Sequence, residues 1–205
     1  MSIKHPIISV TGSSGAGTST VKHTFQQIFR RESVKAVTLE GDAFHRYNRK
    51  EMKKELEKRH AAGDATFSHF SFDANLLPEL EDCFRNYSEQ GTCRYRHYIH
   101  NSNEENLYGA KPGNFTKWKK FEEPSDLLFY EGLHGAVVNE EINLARYADL
   151  KIGVVPVINL EWIQKIHRDT DSRGYSTEAV TDTILRRMHA YVCLLYTSPS
   201  PRDLA

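Results

Sequence analysis

Short unbroken apolar runs alternate along this chain with longer amphipathic stretches. Residues 7–10, 34–39, 126–131 and 148–157 are runs of the first kind, the pattern of strands buried on both faces of a parallel sheet. A helix is predicted from Thr18, with Val21, Phe25, Ile28 and Phe29 on one face and Arg30 and Arg31 in its last turn, where cations suit the helix dipole. Residues 50–62 form a charged helical pattern with Met52 and Leu56 as its sparse apolar face, and Ala62-Gly63-Asp64 stops it. Residues 76–87 turn Leu77, Leu80 and Phe84 inward, 94–100 alternate as a strand does, and 101–115 read as loop. Residues 159–168 are helical through Leu160, Ile163 and Ile166, Asp169–Gly174 breaks the pattern, and 177–192 resumes it with Val180, Ile184, Leu185 and Met188. Strands alternating with helices predict an α/β fold, a mostly parallel sheet covered on both faces.

Composition narrows the class. At 205 residues, with 26% charged and 39% hydrophobic side chains, one soluble globular domain is expected. Lys+Arg and Asp+Glu both number 27, so no global field favours nucleic acid, and no apolar run approaches the ~20 residues of a membrane span. Cys83, Cys93 and Cys193 have no metal-site spacing, and Met1 leads directly into a strand without a secretory signal; both suit a reducing cytoplasm. After Val192 the chain reads Cys-Leu-Leu-Tyr-Thr-Ser-Pro-Ser-Pro-Arg-Asp-Leu-Ala, which cannot continue the preceding helix. The domain is therefore expected at 1–192, 193–205 is read as a non-native tail, and the native protein as longer.

Four clusters carry candidate chemistry. Gly12-Ser13-Ser14-Gly15-Ala16-Gly17-Thr18-Ser19-Thr20 lies between a strand and a helix, the context in which glycine-rich backbone cradles phosphate at a helix N-terminus. Thr18 stands where a phosphate loop has lysine, and Ser19 is at the position that reaches Mg²⁺; the alternative is an ordinary glycine-rich turn. No glycine follows Gly17 at the spacing of a dinucleotide fingerprint. Glu131 ends a hydrophobic strand, as a metal-holding carboxylate of the Walker-B kind would. If the chain is helical from Asp42, then His45, Arg46 and Arg49 share its face. That set suits an acceptor with both a hydroxyl and a phosphate, Asp42 taking the proton while His45 and Arg49 grip the phosphate; a solvated charged turn is the alternative. Lys165, Arg168 and Asp169 share a helical face, and Arg173 follows in a mobile segment able to close as a lid. Lys165 or Arg168 is expected to supply the cation that Thr18 cannot; a salt-bridged surface helix is the alternative. His134 beside Glu131 is a further candidate for lining the site, and His100 with the basic-aromatic run 94–98 a candidate for binding an anion. No zinc spacing, GxSxG elbow or guanine-reading motif occurs.

In order, GSSGAGTST, EGDAFHR, FYEGLHG and VPVINLEWIQKIHRD, followed by RGY, resemble bacterial phosphoribulokinases over residues 4–192. The resemblance implies a P-loop, nucleoside-kinase-like three-layer fold that makes ribulose 1,5-bisphosphate from ribulose 5-phosphate and MgATP in the Calvin cycle. It implies that residues 12–20 hold ATP, that Asp42 is the general base, and that Glu131 and Asp169 are metal-site and active-site acids. His45, Arg49, Lys165, Arg168 and Arg173 would serve the sugar phosphate or the transition-state charge. It also implies a homo-oligomer activated by NADH and inhibited by AMP, with Arg31 and Arg187 as candidates for that response. The thiol switch of the plant branch is not expected, since the loop has no cysteine. A uridine kinase-like enzyme and a non-catalytic nucleotide binder are the competing readings.

Overall fold

A computed structural model describes residues 4–64, 66–121 and 123–191. Its centre is a parallel four-stranded sheet in the order β2-β5-β1-β6, made of β1 (Ile7–Gly12), β2 (Ala36–Glu40), β5 (Leu127–Gly132) and β6 (Leu150–Val154). The register places Ile7 beside Leu128 and, at the other end of the strands, Glu40 beside Glu131. Alternation along each strand separates two apolar layers. On one side Val10 and Phe129 pack under α1 (Thr18–Arg31), where Phe25, Phe29 and Phe129 form a ring cluster with centroids 5.2–5.7 Å apart. On the other, Ile7, Leu39, Leu128 and Tyr130 meet α3 (Leu77–Gln90) through Leu77, Leu80 and Phe84. Burying one such side chain is worth about 1.5–3 kcal/mol, so these two layers hold the sheet. The three-layer α/β arrangement expected from the pattern is present.

Local chemistry sets the ends of the helices. Asn48 caps α2 (Arg49–Ala61) in a reciprocal box with Glu51, and Gly91 closes α3 in the left-handed conformation. Cys83 and Cys93 are joined across this turn, a pairing that their spacing did not suggest.

Four segments differ most from the sequence expectation. Residues 101–115 contain α4 (Ser102–Tyr108), capped by Asn101, whose carbonyl side chain accepts from the N–H groups of Asn103 and Glu104. The strand expected over 94–100 is only β3 (Arg94–Tyr95), paired with β4 (Lys119–Lys120), because the residues beyond it turn toward the site. The segment after Glu40 is a 3₁₀ turn over Gly41–Phe44, and His45 is extended, so no helix runs from Asp42 to Arg49. Finally, α5 (Ile158–Arg173) continues through Asp169–Arg173 and stops at Gly174, whose φ is 69°. Asp169 is locked to Lys165 one turn earlier, which outweighs the modest helix reluctance of Asp, Thr and Ser. The last helix, α6 (Thr177–Tyr191), packs against α5. The tail expected at 193–205 lies outside the described residues. No described helix is long and apolar enough to cross a membrane.

Candidate active site

The carboxyl ends of β1, β2 and β5 lie side by side, and the candidate clusters gather there. Gly15 and Gly17 of the loop have φ of 108° and 98°, a region costly for any residue with a Cβ. Gly17 also sits at the N-cap of α1, where no side chain caps the helix, so the first turn presents its N–H groups to an anion. Thr18 is buried, and its hydroxyl donates to Glu131 Oε1 at 2.5 Å. The position that lacks lysine thus contacts the acid at the end of β5. One turn along α1, Lys22 Nζ donates to Glu40 Oε1 at 2.8 Å and lies 3.7 Å from Glu131 Oε2. Burial lowers the Lys22 pKa, but Glu40 and Glu131 raise it more, so the ammonium is favoured.

The second cluster is built on the 3₁₀ turn. Gly41 fits against the Tyr130 hydroxyl and Gly132, where a Cβ would lie 2.5 Å and 3.0 Å from those neighbours, so only glycine lets the turn approach β5. Asp42 is then held between two imidazoles: His45 Nε2 is 3.2 Å from Oδ1 and His100 Nε2 is 3.5 Å from Oδ2. The other nitrogen of His45, Nδ1, is 2.8 Å from Asn75 Oδ1. The Asn75 amide donates to the carbonyls of His69 and Ser71, which orients its oxygen as the acceptor and puts a proton on Nδ1. Burial pushes the His45 pKa down, but Asp42 and Asn75 push it up further, and the net shift is upward. Desolvation raises the Asp42 pKa and the histidines, His45 foremost, more than reverse it; the carboxylate is held well below its usual range. Arg96 anchors this turn, donating from Nε to Ala43 O at 2.8 Å and from Nη2 to His45 O at 2.6 Å. Its guanidinium lies 3.6 Å over the Phe115 ring and 4.6 Å from that of Trp118, and burial brings its pKa down to about 10.

The expected shared face of Asp42, His45, Arg46 and Arg49 is replaced by a folded turn. Asp42 and His45 meet, but Arg46 points to the carbonyls of Asp73 and Asn75. Arg49 opens α2, where its backbone N–H donates to Gly113 O and its guanidinium to the carbonyl of His100. It therefore reaches the His100 side of the cluster from another element.

The third cluster comes from α5. Gly15 lies against Glu161 and Lys165 of α5, close enough that a Cβ would be 3.2 Å from each. Arg168 donates to Ser14 Oγ at 2.9 Å and to Asp169 Oδ1 at 2.9 Å, while buried Lys165 donates to Asp169 Oδ2 at 2.7 Å. Burial raises the Asp169 pKa, but these two cations lower it further. Arg168 thus docks α5 on the loop. Arg173 ends the helix, but its side chain lies outside the described residues, as does that of Arg187. His134 is buried, with no hydrogen-bond partner on either ring nitrogen among the described residues, and burial pushes its pKa down to about 3.

Among these residues, Lys22, Glu40 and Asn75 were not singled out by pattern, and Arg96 only as part of the basic-aromatic run 94–98. Lys22 follows Thr18 at the helical spacing of four, which is the one signal that could have found it.

The family model described as Phosphoribulokinase / Uridine kinase family matches residues 7–203. Phosphoribulokinase 1 of Cereibacter sphaeroides is 70% identical over 204 residues, covering all of this chain and 70% of that relative. A solved phosphoribulokinase from Rhodobacter spheroides superposes with a TM-score of 0.80 at 68% identity, over 95% of this chain and 66% of that one. The chain thus spans about two thirds of the length of these relatives. A putative fructose transport system kinase from Silicibacter has a TM-score of 0.69 at 13% identity, a likeness of fold alone.

Proposed function

Because the chain belongs to the phosphoribulokinase/uridine kinase family, we propose that it transfers the terminal phosphoryl group of ATP to a hydroxyl of ribulose 5-phosphate, forming the 1,5-bisphosphate used in the Calvin cycle. The observation that supports the acceptor is Asp42, an ionised carboxylate between His45 and His100 with Arg49 beside them. A base within a cationic shell suits a molecule that has both a hydroxyl and a phosphate, and a neutral nucleoside has no use for the cations. Asp42 accepts the hydroxyl proton, and His45 and Arg49 hold the distal phosphate. The loop presents N–H groups to the nucleotide, while Arg168 and Lys165 bring α5 over it. Phosphoryl transfer asks a protein chiefly for this positioning and charge stabilisation.

Glu131 and the Ser19 hydroxyl are hard oxygen donors beside the loop, a set that fits Mg²⁺. The ion would neutralise phosphate charge when bound there. Asp169 would act within the ion cluster on α5. Activation by NADH, inhibition by AMP, a homo-oligomer and a cytoplasmic setting belong to the same reading. Arg31, exposed beside Glu32 at the end of α1, is its described effector candidate. The test is ADP release with MgATP and either ribulose 5-phosphate or uridine. Turnover of uridine without turnover of the sugar phosphate would overturn the proposal.

A further inference from the structure

The loop has Thr18 where a cation is usual, and the cations on α5 are already engaged, Lys165 and Arg168 sharing Asp169. Among the described residues, Lys22 is a further cation at this end of the sheet, and its contacts place it among the metal-site oxygens. Helical side chains lean toward the N-terminus, so Lys22, one turn after Thr18, reaches back along α1. Its ammonium comes to rest between Glu40 and Glu131, which are neighbours in the parallel register of β2 and β5. Two carboxylates side by side repel, and the ammonium offsets one of the two charges. One negative charge remains. The lysine stem is a flexible four-carbon chain ending in a rotatable point charge, suited to exchanging one anionic partner for another.

We propose that Lys22 is a resident counter-cation that links metal capture to nucleotide binding. Without nucleotide it offsets one charge of the Glu40–Glu131 pair; when a polyphosphate occupies the loop, the ammonium moves onto phosphate oxygens and leaves Glu131 for the divalent ion. This rests on the nucleotide-binding part of the function proposed above, and not on the identity of the sugar acceptor. A simple strut between α1 and the sheet is the competing role, and it makes different predictions.

The test uses the full chain as the parent and as Lys22→Met and Lys22→Arg. Mn²⁺ binding is measured by electron paramagnetic resonance with no nucleotide present. Binding of a non-hydrolysable ATP analogue is measured by calorimetry in the presence of a chelator. Lys22→Met is expected to bind Mn²⁺ about tenfold more tightly and the metal-free analogue about tenfold more weakly, each a change of ~1.4 kcal/mol. Lys22→Arg should stay close to the parent in both, which also separates charge from any loss of folding. If either affinity in a folded Lys22→Met protein stays within twofold of the parent, the exchange is overturned. Neither measurement contains a sugar phosphate, so its result stands whether or not the chain phosphorylates ribulose 5-phosphate.

Discussion

Replacing Arg96 by Met should separate the architecture of the site from its chemistry. The guanidinium donates to the carbonyls of Ala43 and His45 and stacks on Phe115, so the substitution removes all three contacts from the turn that bears Asp42. Hydrogen bonds from a charged donor contribute ~1.5–3 kcal/mol each, and the ring contact adds ~0.5–2 kcal/mol. Against that gross of roughly 4–8 kcal/mol stands the cost of holding a guanidinium partly out of water, the same cost that brings its pKa down to about 10. A net loss of about 3 kcal/mol follows, which for a chain of this size lowers Tm by ~6–12 °C. The kinetic effect should be selective. The freed turn displaces Asp42 and His45 but not the loop, and misplacement by ~1 Å costs on the order of a hundredfold. So kcat/KM for the sugar phosphate should fall about a hundredfold while KM for ATP holds. Arg96→Lys, able to keep one of the two hydrogen bonds, should lie between. Thermal unfolding and steady-state kinetics with each substrate varied give both numbers. A variant that melts lower yet keeps its kcat/KM for the sugar phosphate would show Arg96 to be packing only.

Other substitutions probe individual roles. Asp42→Asn should lower turnover by ~10²–10⁴-fold while leaving ATP affinity intact, measured by calorimetry beside ADP release; full turnover would remove the base role. His45 has a folded-state pKa above its free value, so its charge and its stabilising ion pair are fully present below the unfolded pKa and fade as pH rises through the folded one. KM for ribulose 5-phosphate should therefore rise on the alkaline side, and His45→Gln should flatten that limb of the profile; a parallel limb in the variant would assign it elsewhere. Asp42, depressed, has the opposite sense, its contribution present above the unfolded carboxylate value and lost only in strong acid. Gly135→Ala would drive a methyl group into Ser9 Oγ and the Tyr130 ring, and should cost ~1–3 kcal/mol or more in a denaturant midpoint.

Much of this arrangement was legible because it obeys local rules. The apolar runs at 7–10 and 126–131 lack alternation, which marks central strands, and the loop between β1 and α1 follows from Gly15 and Gly17. Phe25 and Phe29 mark the inner face of α1 by spacing alone. The misses have physical reasons too. Asn101 and Glu104 form a capping pair that the polar composition of the segment concealed, since α4 buries none of its residues. The Asp169–Arg173 stretch was read as a break on composition, whereas its acid is bound by cations one turn and one residue away. The face proposed for Asp42, His45 and Arg49 assumed helical spacing, but Asp42 and His45 meet through a 3₁₀ turn braced by Arg96 and Asn75, which lie about 50 and 30 residues away, while Arg49 comes from the next helix. Contacts of that range leave no period in a sequence.

The strand order also bears on how the protein is made. β1, which ends in the phosphate loop, is made before the other described strands, yet both its neighbours, β5 and β6, come from far downstream. At ribosomal speeds of ~5–20 residues per second, the roughly 120 residues between β1 and β5 keep β1 unpaired for ~6–24 s. During that interval Ile7, Ile8 and Val10 are two bare edges of a strand, a template for association between nascent chains. The geometry that puts the loop at the middle of the sheet makes its strand the last of the centre to be sheltered. The yield of folded protein should depend on translation rate and growth temperature as much as on the stability of the finished fold.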